Sequence, residues 1–312
     1  VTLTTATVDV LNESAPRGIA AWLKVNVRLW QLASLAVALT VLAPVAVVFA
    51  AWLQPAGEAW QHLAQTVLPE LLVNTGFLLV GVSVGVLGVG VACAWLVSVC
   101  EFPGRRFFDW GLMLPLAVPA YVLGFVAVAL LDFSGPLQTW ARGTFNLSGA
   151  LLPPVRTVGG VTLVMTLAFY PYVYLLARAA FMAQGRAMTD TARVLGLTPW
   201  QAFWRAALPM ARPAIAAGMA LALMETLSDF GTVAVFNVDT FTVAIYKTWQ
   251  GLFNLNAAAQ LASLLLFFVG VALVAEQQSR QGAQYFGSVK NARVDRYRLR
   301  GRAKWAASFF CA

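Results

Sequence analysis

Charge is what this sequence has least of. Only 11% of its 312 residues are charged, and 60% are hydrophobic. Soluble domains carry about 25% charged residues, so the deficit excludes a water-soluble fold of this size and points to an integral membrane protein. Histidine is almost missing as well. His62 is the only one, which excludes a histidine-based metal cluster or catalytic dyad. Cys93, Cys100 and Cys311 form no CxxC, so neither a zinc site nor a disulfide framework is indicated. Of the four lysines, none follows the glycines of a phosphate-binding loop, and the one Lys-Thr pair, Lys247-Thr248, lacks them. The chain is therefore not expected to be an enzyme, and no catalytic residue, cofactor or metal site is assigned.

What it has in abundance is apolar sequence. Six runs reach the ~20 residues that a helix needs to cross a bilayer: 29–52, 72–99, 111–131, 158–180, 213–235 and 257–275. The expected fold class is all-α, a polytopic membrane protein with six transmembrane helices and a cytoplasmic loop. The first run lies too far from the start, is too long and lacks a small-residue cleavage site, so it is a span and not a signal peptide.

Basic residues set the orientation. Arg17, Lys24, Arg28, Arg105, Arg106, the five arginines from Arg178 to Arg212, and the eight basic residues from Arg280 to Lys304 fall on one side, against Arg142, Arg156 and Lys247 on the other. That is 18 against 3 of the 21 basic residues, and the positive-inside rule puts the crowded side in the cytoplasm. Both ends are then inside, and the net charge of +8 reflects topology, with no nucleic-acid partner implied. The expected organisation is a cytoplasmic segment 1–28, a first helix 29–52, a module over 70–275, a basic cytoplasmic linker 276–304, and an apolar stretch 305–312 that reads as the start of a cut-off seventh span. The intact protein is then expected to be longer, with a second copy of the same module.

The segment between the fourth and fifth runs is the most informative. Thr189 can N-cap a short helix from Asp190, and Gly196 can supply the left-handed residue that ends it. Thr198 can cap a second helix with Pro199 at its first position and Gln201 completing a capping box. Trp200, Phe203, Trp204 and Ala207 fall at helical spacing on one apolar face, and Pro209 and Pro213 are expected to break the pattern. Two readings suit such a segment. It can lie on the lipid surface, or it can dock as a helix in a groove on a cytoplasmic partner.

This segment resembles the EAA loop of binding-protein-dependent ABC importer permeases. The pattern, Glu-Ala-Ala, three residues, Gly, nine residues, Ile, one residue, Leu-Pro, appears here as Asp190-Thr191-Ala192, Gly196, Ala206 and Leu208-Pro209. Every spacing is kept, while Asp190, Thr191 and Ala206 depart from it. The resemblance implies that these seven residues dock on an ATPase subunit and pass its closure to the spans. Leu114 to Phe125, Ser228-Asp229-Phe230-Gly231-Thr232 and Tyr246-Lys247-Thr248-Trp249 are similar to the ferric-iron branch of these permeases, in which two modules are commonly fused. The implied partners are cytoplasmic ATPase subunits, a periplasmic binding protein, a second permease module and the inner-membrane bilayer. Thiamine, putrescine, sulfate and phosphonate importers use similar modules.

Glu225 stands out inside the fifth run, four residues before Asp229. A charge at the bilayer centre costs about 2.5–3.5 kcal/mol on insertion scales, so it should face the bundle or a watery path. Both carboxylates are candidates for lining the translocation pathway. The alternative is a structural carboxylate bonded to Asn74 or a hydroxyl. Gly81, Gly85, Gly88 and Gly90 suit close helix packing, and Pro115, Pro119 and Pro171 are expected to kink their helices. Two rival functions remain at this point, an ion-coupled secondary transporter and a non-transporting scaffold.

Overall fold

The computed structural model describes residues 17–54, 57–146, 149–150, 152–194, 196–280, 297–299 and 301–312. Two units make up the chain, Val1–Pro55 and Ala56–Ala312. Among the described residues the first holds one helix, α1 (Arg17–Ala50), closed by a short 3-10 turn at Ala51–Leu53. From Leu29 on its apolar side chains point outward. Ser34 and Thr40 fold their hydroxyls back onto the carbonyls of Trp30 and Ala36, which hides them from an apolar surround.

The second unit is a helical bundle. Its elements are α2 (Glu58–His62), α3 (Leu68–Val99), α4 (Arg105–Gly111), α5 (Ala120–Leu131), α6 (Pro136–Phe145), α7 (Val158–Val194), α8 (Pro199–Ala202), α9 (Leu208–Ser228), α10 (Gly231–Val235), α11 (Phe241–Tyr246), α12 (Leu255–Arg280) and α13 (Arg302–Cys311). Among the described residues six helical stretches are long and apolar enough to span a membrane: Leu29–Leu53, Trp60–Val99, Ala120–Phe145, Val158–Gln184, Trp200–Ser228 and Leu255–Val274. The expected count holds, but several boundaries move.

The span expected over 111–131 is broken. α4 ends at Gly111, Leu114–Ala117 form a 3-10 turn, and Val118 is extended before α5 begins. Pro115 and Pro119 do more than kink: each lacks an N–H, and Pro119 pushes Val118 out of the helical region. The span expected over 213–235 also breaks, at Asp229, which is extended between α9 and α10. Pro171 and Pro213, by contrast, sit inside α7 and α9 without ending them.

A shared device carries the chain past two other prolines. Leu68-Pro69 and Leu208-Pro209 each come after a π-turn, Leu63–Val67 and Phe203–Ala207, in which the leucine N–H reaches back five residues to Leu63 O and Phe203 O. A proline ring collides with the carbonyl four residues earlier, and the widened turn gives it room. Pro209 therefore continues the helix that it was expected to break.

α3 and α7 pack side by side, and α9 lies against both. Val82, Val86, Ala94 and Val97 of α3, Val161, Met165, Val173 and Ala177 of α7, and Ala211 and Ala222 of α9 are buried in one core. Glycines set the spacing. A methyl at Gly81 would fall 2.6 Å from Thr162 Cγ2, and one at Gly90 would fall 2.8 Å from Val173 Cβ. Gly88 meets nothing, so the packing role expected of it is not seen. Gly218 on α9 is tighter in kind, because its added carbon would meet backbone, Val173 Cα at 2.7 Å and Tyr172 O at 2.8 Å. A second core joins Leu71, Phe241, Ala244, Ala257 and Leu261.

Polar ties brace the end of the bundle where α4 sits. Arg178 Nε donates to Asp109 Oδ1 at 2.6 Å, Tyr174 donates to Asp109 O at 3.0 Å, and Arg105 Nε donates to Val97 O at 2.7 Å. The residues beyond α12 in the expected linker fall mostly outside the described ones. Tyr297–Arg298 pair in parallel with Cys100–Glu101, and in α13 Ser308 Oγ donates to Pro103 O at 2.8 Å. The three cysteines are free and buried, and burial pushes the Cys100 thiol up to about 11.

Candidate functional site

Two places gather the residues singled out in the sequence. The first is the 190–209 loop. α7 runs on to Val194 without a break, so Thr189 and Asp190 do not open a new helix. Ala, Arg, Met and Gln dominate the stretch after 178, and these are good helix formers. At 37 residues and 1.5 Å per residue α7 is about 55 Å long, against a hydrocarbon core of about 30 Å. Asp190, Thr191 and Ala192 ride on its last turns, and their side chains lie outside the described residues.

Gly196 then turns the chain at φ +67°, the left-handed value expected of it. No atom lies within 4 Å of where a side chain would start. The capping box forms as expected: Gln201 N donates to Thr198 Oγ1 at 3.3 Å, and Thr198 N donates to Gln201 Oε1 at 3.0 Å. The expected single aromatic face splits in two. Phe203 and Ala207 turn inward and are buried, while Trp200 and Trp204 are 67% and 52% exposed. Each pair is four residues apart, so each lies along one side of the helix.

Phe203 meets Trp95 of α3 at 4.9 Å between ring centres and Phe181 of α7 at 6.4 Å. Gln184 of α7 donates to Ala207 O at 3.1 Å. Ala206, Leu208 and Pro209 are half-buried at the start of α9. One side of the loop is thus locked into the helix bundle, and the other presents two tryptophans packed edge to face at 5.5 Å. Sequence spacing gave no sign of Trp95 or Phe181 in this cluster.

The second place is a cleft of about 400 Å³ where the two broken spans meet. Pro115, Pro119, Tyr121, Tyr172, Glu225 and Asp229 are among the residues lining it. The unwound backbone at 112–119 and at 229–230 leaves this opening. Glu225 lies in the last turn of α9, the end where a helix's own carbonyls disfavour negative charge. It lines the cleft together with Tyr172 of α7. The expected alternative partner, Asn74, instead donates to Asp239 O at 3.1 Å.

Asp229 is differently placed. Its carboxylate accepts Thr232 N at 2.8 Å, Thr232 Oγ1 at 2.8 Å and Val233 N at 3.3 Å. From the position before Phe230, the N-cap residue, it satisfies two N–H groups of the first turn of α10, a role its spacing to Thr232 and Val233 allowed but did not announce. No lysine or arginine among the described residues lines the cleft. Among the described residues no group of three or more His, Cys, Asp or Glu side chains could hold a metal ion.

Proteins of known function and structure bear on both places. The profile of the binding-protein-dependent transport system inner membrane component family matches residues 85–278. The Fe(3+)-transport system permease protein FbpB 2 of Haemophilus influenzae is 33% identical over 199 residues, 64% of this chain and 35% of that protein. The sulfate transport system permease protein CysT of Escherichia coli is 28% identical over 183 residues, 57% of this chain and 64% of that protein. The matched part of the chain thus spans about a third of the first relative and just under two thirds of the second. A bacterial ABC transporter involved in the import of the acidic polysaccharide alginate has a chain that superposes with a TM-score of 0.65 at 17% identity, covering 85% of this chain and 99% of that one. With more than half of its length matched by the profile, this chain belongs to the family of binding-protein-dependent transport system inner membrane components.

Proposed function

We propose that the chain is the permease subunit of an ATP-driven importer and that its ligand is ferric iron delivered by a periplasmic binding protein. As a family member it is a multi-pass inner-membrane transport component with no ATPase site of its own. The 190–209 loop lies in the cytoplasm in this reading, as do both ends of the chain. Asp190, Thr191, Ala192, Gly196, Ala206, Leu208 and Pro209 form the docking segment for an ATPase subunit. The observation that carries it is the two-sided build of that segment. Trp200 and Trp204 project outward while Phe203 and Gln184 fasten it to α3 and α7. A lipid anchor needs only the first half of that arrangement. A lever needs both, because a push on the outer side has to reach the spans.

Closure of two ATPase subunits then moves α7 and α9 together and switches the bundle between inward and outward openings. A second permease module, fused or separate, completes the path, and Glu225 and Asp229 line it on this side. One solved relative in fold is held in complex with an alginate-bound periplasmic protein, and the same kind of partner is assigned here. The cleft supports a cation as ligand. Two carboxylates and two phenols, of Tyr121 and Tyr172, line it, and among the described residues no basic one does. Oxygen donors suit hard cations, whereas sulfate or molybdate would meet charge of its own sign.

The test is reconstitution of the protein in liposomes with its ATPase, its second module and a binding protein. Labelled ferric iron should accumulate only when ATP is supplied on the ATPase side. Uptake that survives ATP removal under a proton gradient would defeat the ATP-driven reading. Uptake of sulfate or molybdate in place of iron would defeat the ligand reading alone.

A further inference from the structure

Beside the cleft, four threonines come together inside the bundle. Thr75 of α3, Thr226 of α9, Thr240 and Thr242 line a cavity of about 10 Å³, walled elsewhere by leucines and Phe241. We propose that this cavity is a binding site for one ordered water molecule, which ties α3, α9 and the return segment 229–242 together. The inference does not depend on the transport reading.

Thr75 carries the argument. It is 8% exposed, and its Oγ1 has no hydrogen-bond partner within the described protein. Hydroxyls on these helices usually satisfy themselves by folding back one turn, as Thr66, Ser83, Thr162 and Thr226 do onto His62 O, Leu79 O, Val158 O and Ala222 O. Thr75 does not, and it is one of the residues that line the cavity. An orphaned buried hydroxyl is destabilising, and a bridging water removes that penalty.

The protons can be assigned. Thr242 Oγ1 donates to Asp229 O at 2.8 Å, so in the 3.0 Å Thr240–Thr242 pair Thr240 is the donor. Thr226 donates to Ala222 O at 2.8 Å. Thr226 and Thr240 therefore keep free lone pairs, while Thr75 keeps its proton. A water accepting from Thr75 and donating to Thr226 and Thr240 makes three hydrogen bonds, the usual number for a buried water, in a space of the right size. No carboxylate lines the cavity, so a neutral ligand fits better than a sodium ion.

The deciding measurement is a map of the purified protein in nanodiscs, sharp enough to show ordered water. A single peak within hydrogen-bond reach of Thr75, Thr226 and Thr240 is expected, and an empty cavity there overturns the proposal. Thr75→Val, which keeps the shape and deletes the hydroxyl, gives an independent sign. With water present it strands two acceptors and should lower the melting temperature by a few degrees. In a dry cavity it would remove an orphaned hydroxyl and raise it. The melting temperature should not change when sodium is exchanged for choline, and a sodium-specific rise would reassign the site to a cation.

Discussion

In the 190–209 loop, the groups that set the backbone lie close together in sequence. Gly196 turns the chain by itself, Thr198 and Gln201 cap each other three residues apart, and Leu208 N reaches Phe203 O five residues back. In the cleft, Pro119, Tyr172 and Glu225 come from three separate segments, more than a hundred residues apart at the extremes. The first region is built by local rules and the second by tertiary packing. Substitutions should accordingly act by different routes: on partner binding in the loop, and on flux in the cleft.

The largest effect is expected at Gly196. A β-branched or bulky residue there must hold a left-handed φ, which costs about 1–2 kcal/mol, and it extends into open space where a partner would sit. Gly196→Val should abolish both ATPase co-purification and uptake while the protein still reaches the membrane. Gly196→Asn, which tolerates this backbone, should keep most of both. Normal co-purification of the valine variant would remove the loop from the docking role.

Next come the two faces of the loop. Phe203 is buried between Trp95 and Phe181, and truncating a buried phenylalanine costs about 3–5 kcal/mol. Phe203→Ala should lower the melting temperature of the permease itself. Trp204 is half exposed, and substitutions at exposed positions usually fall within about 0.5 kcal/mol. Trp204→Ala should spare stability and weaken ATPase binding, measured by titrating the ATPase onto nanodiscs. Equal stability losses for the two variants would mean that the outer face is packed after all.

The contrast also explains what could be read from the chain alone. Apolar length gave six spans and their order, because crossing a bilayer demands it. The caps at Thr198 and Gln201 and the turn at Gly196 were legible because each depends on residue type at fixed short spacing. The breaks at Val118 and Asp229 were not, since hydropathy runs straight through them and only packing shows that an unwound backbone is tolerated there. Pro209 misled for the opposite reason. Its usual effect is to end a helix, and the π-turn before it absorbed the clash. Glu225 was visible as an anomaly, but Tyr172, which lines the same cleft, lies 53 positions away on α7, and no local pattern joins them.

In the cleft, Glu225 and Asp229 should separate. Glu225 lines the opening, so Glu225→Gln should cut iron uptake by roughly tenfold, about 1.4 kcal/mol in the barrier, with membrane abundance unchanged. Asp229 caps α10 through three bonds. Asp229→Ala should cost about 1 kcal/mol of stability, seen as a lower melting temperature. If Glu225→Gln transports normally, the cleft is not on the path.

The smallest effect tests whether the loop's shape is set locally. Thr198→Ala removes the hydroxyl that accepts from Gln201 N and leaves the reciprocal bond to Thr198 N in place. Loss of an N-cap costs about 1 kcal/mol, and here it falls on α8, the first turn of a helical stretch that runs on through the π-turn into α9. The helix is fastened at its far end by Phe203 and by Gln184 on Ala207 O, so fraying should be confined to residues 197–201. The permease should keep its melting temperature, and ATPase affinity should fall about fivefold, which is what about 1 kcal/mol gives. Thr198→Ser should restore it, because serine caps as well as threonine. A fall in melting temperature with no change in ATPase affinity would reverse the assignment. The loop would then be a part of the bundle's packing, and the difference between the two regions would disappear.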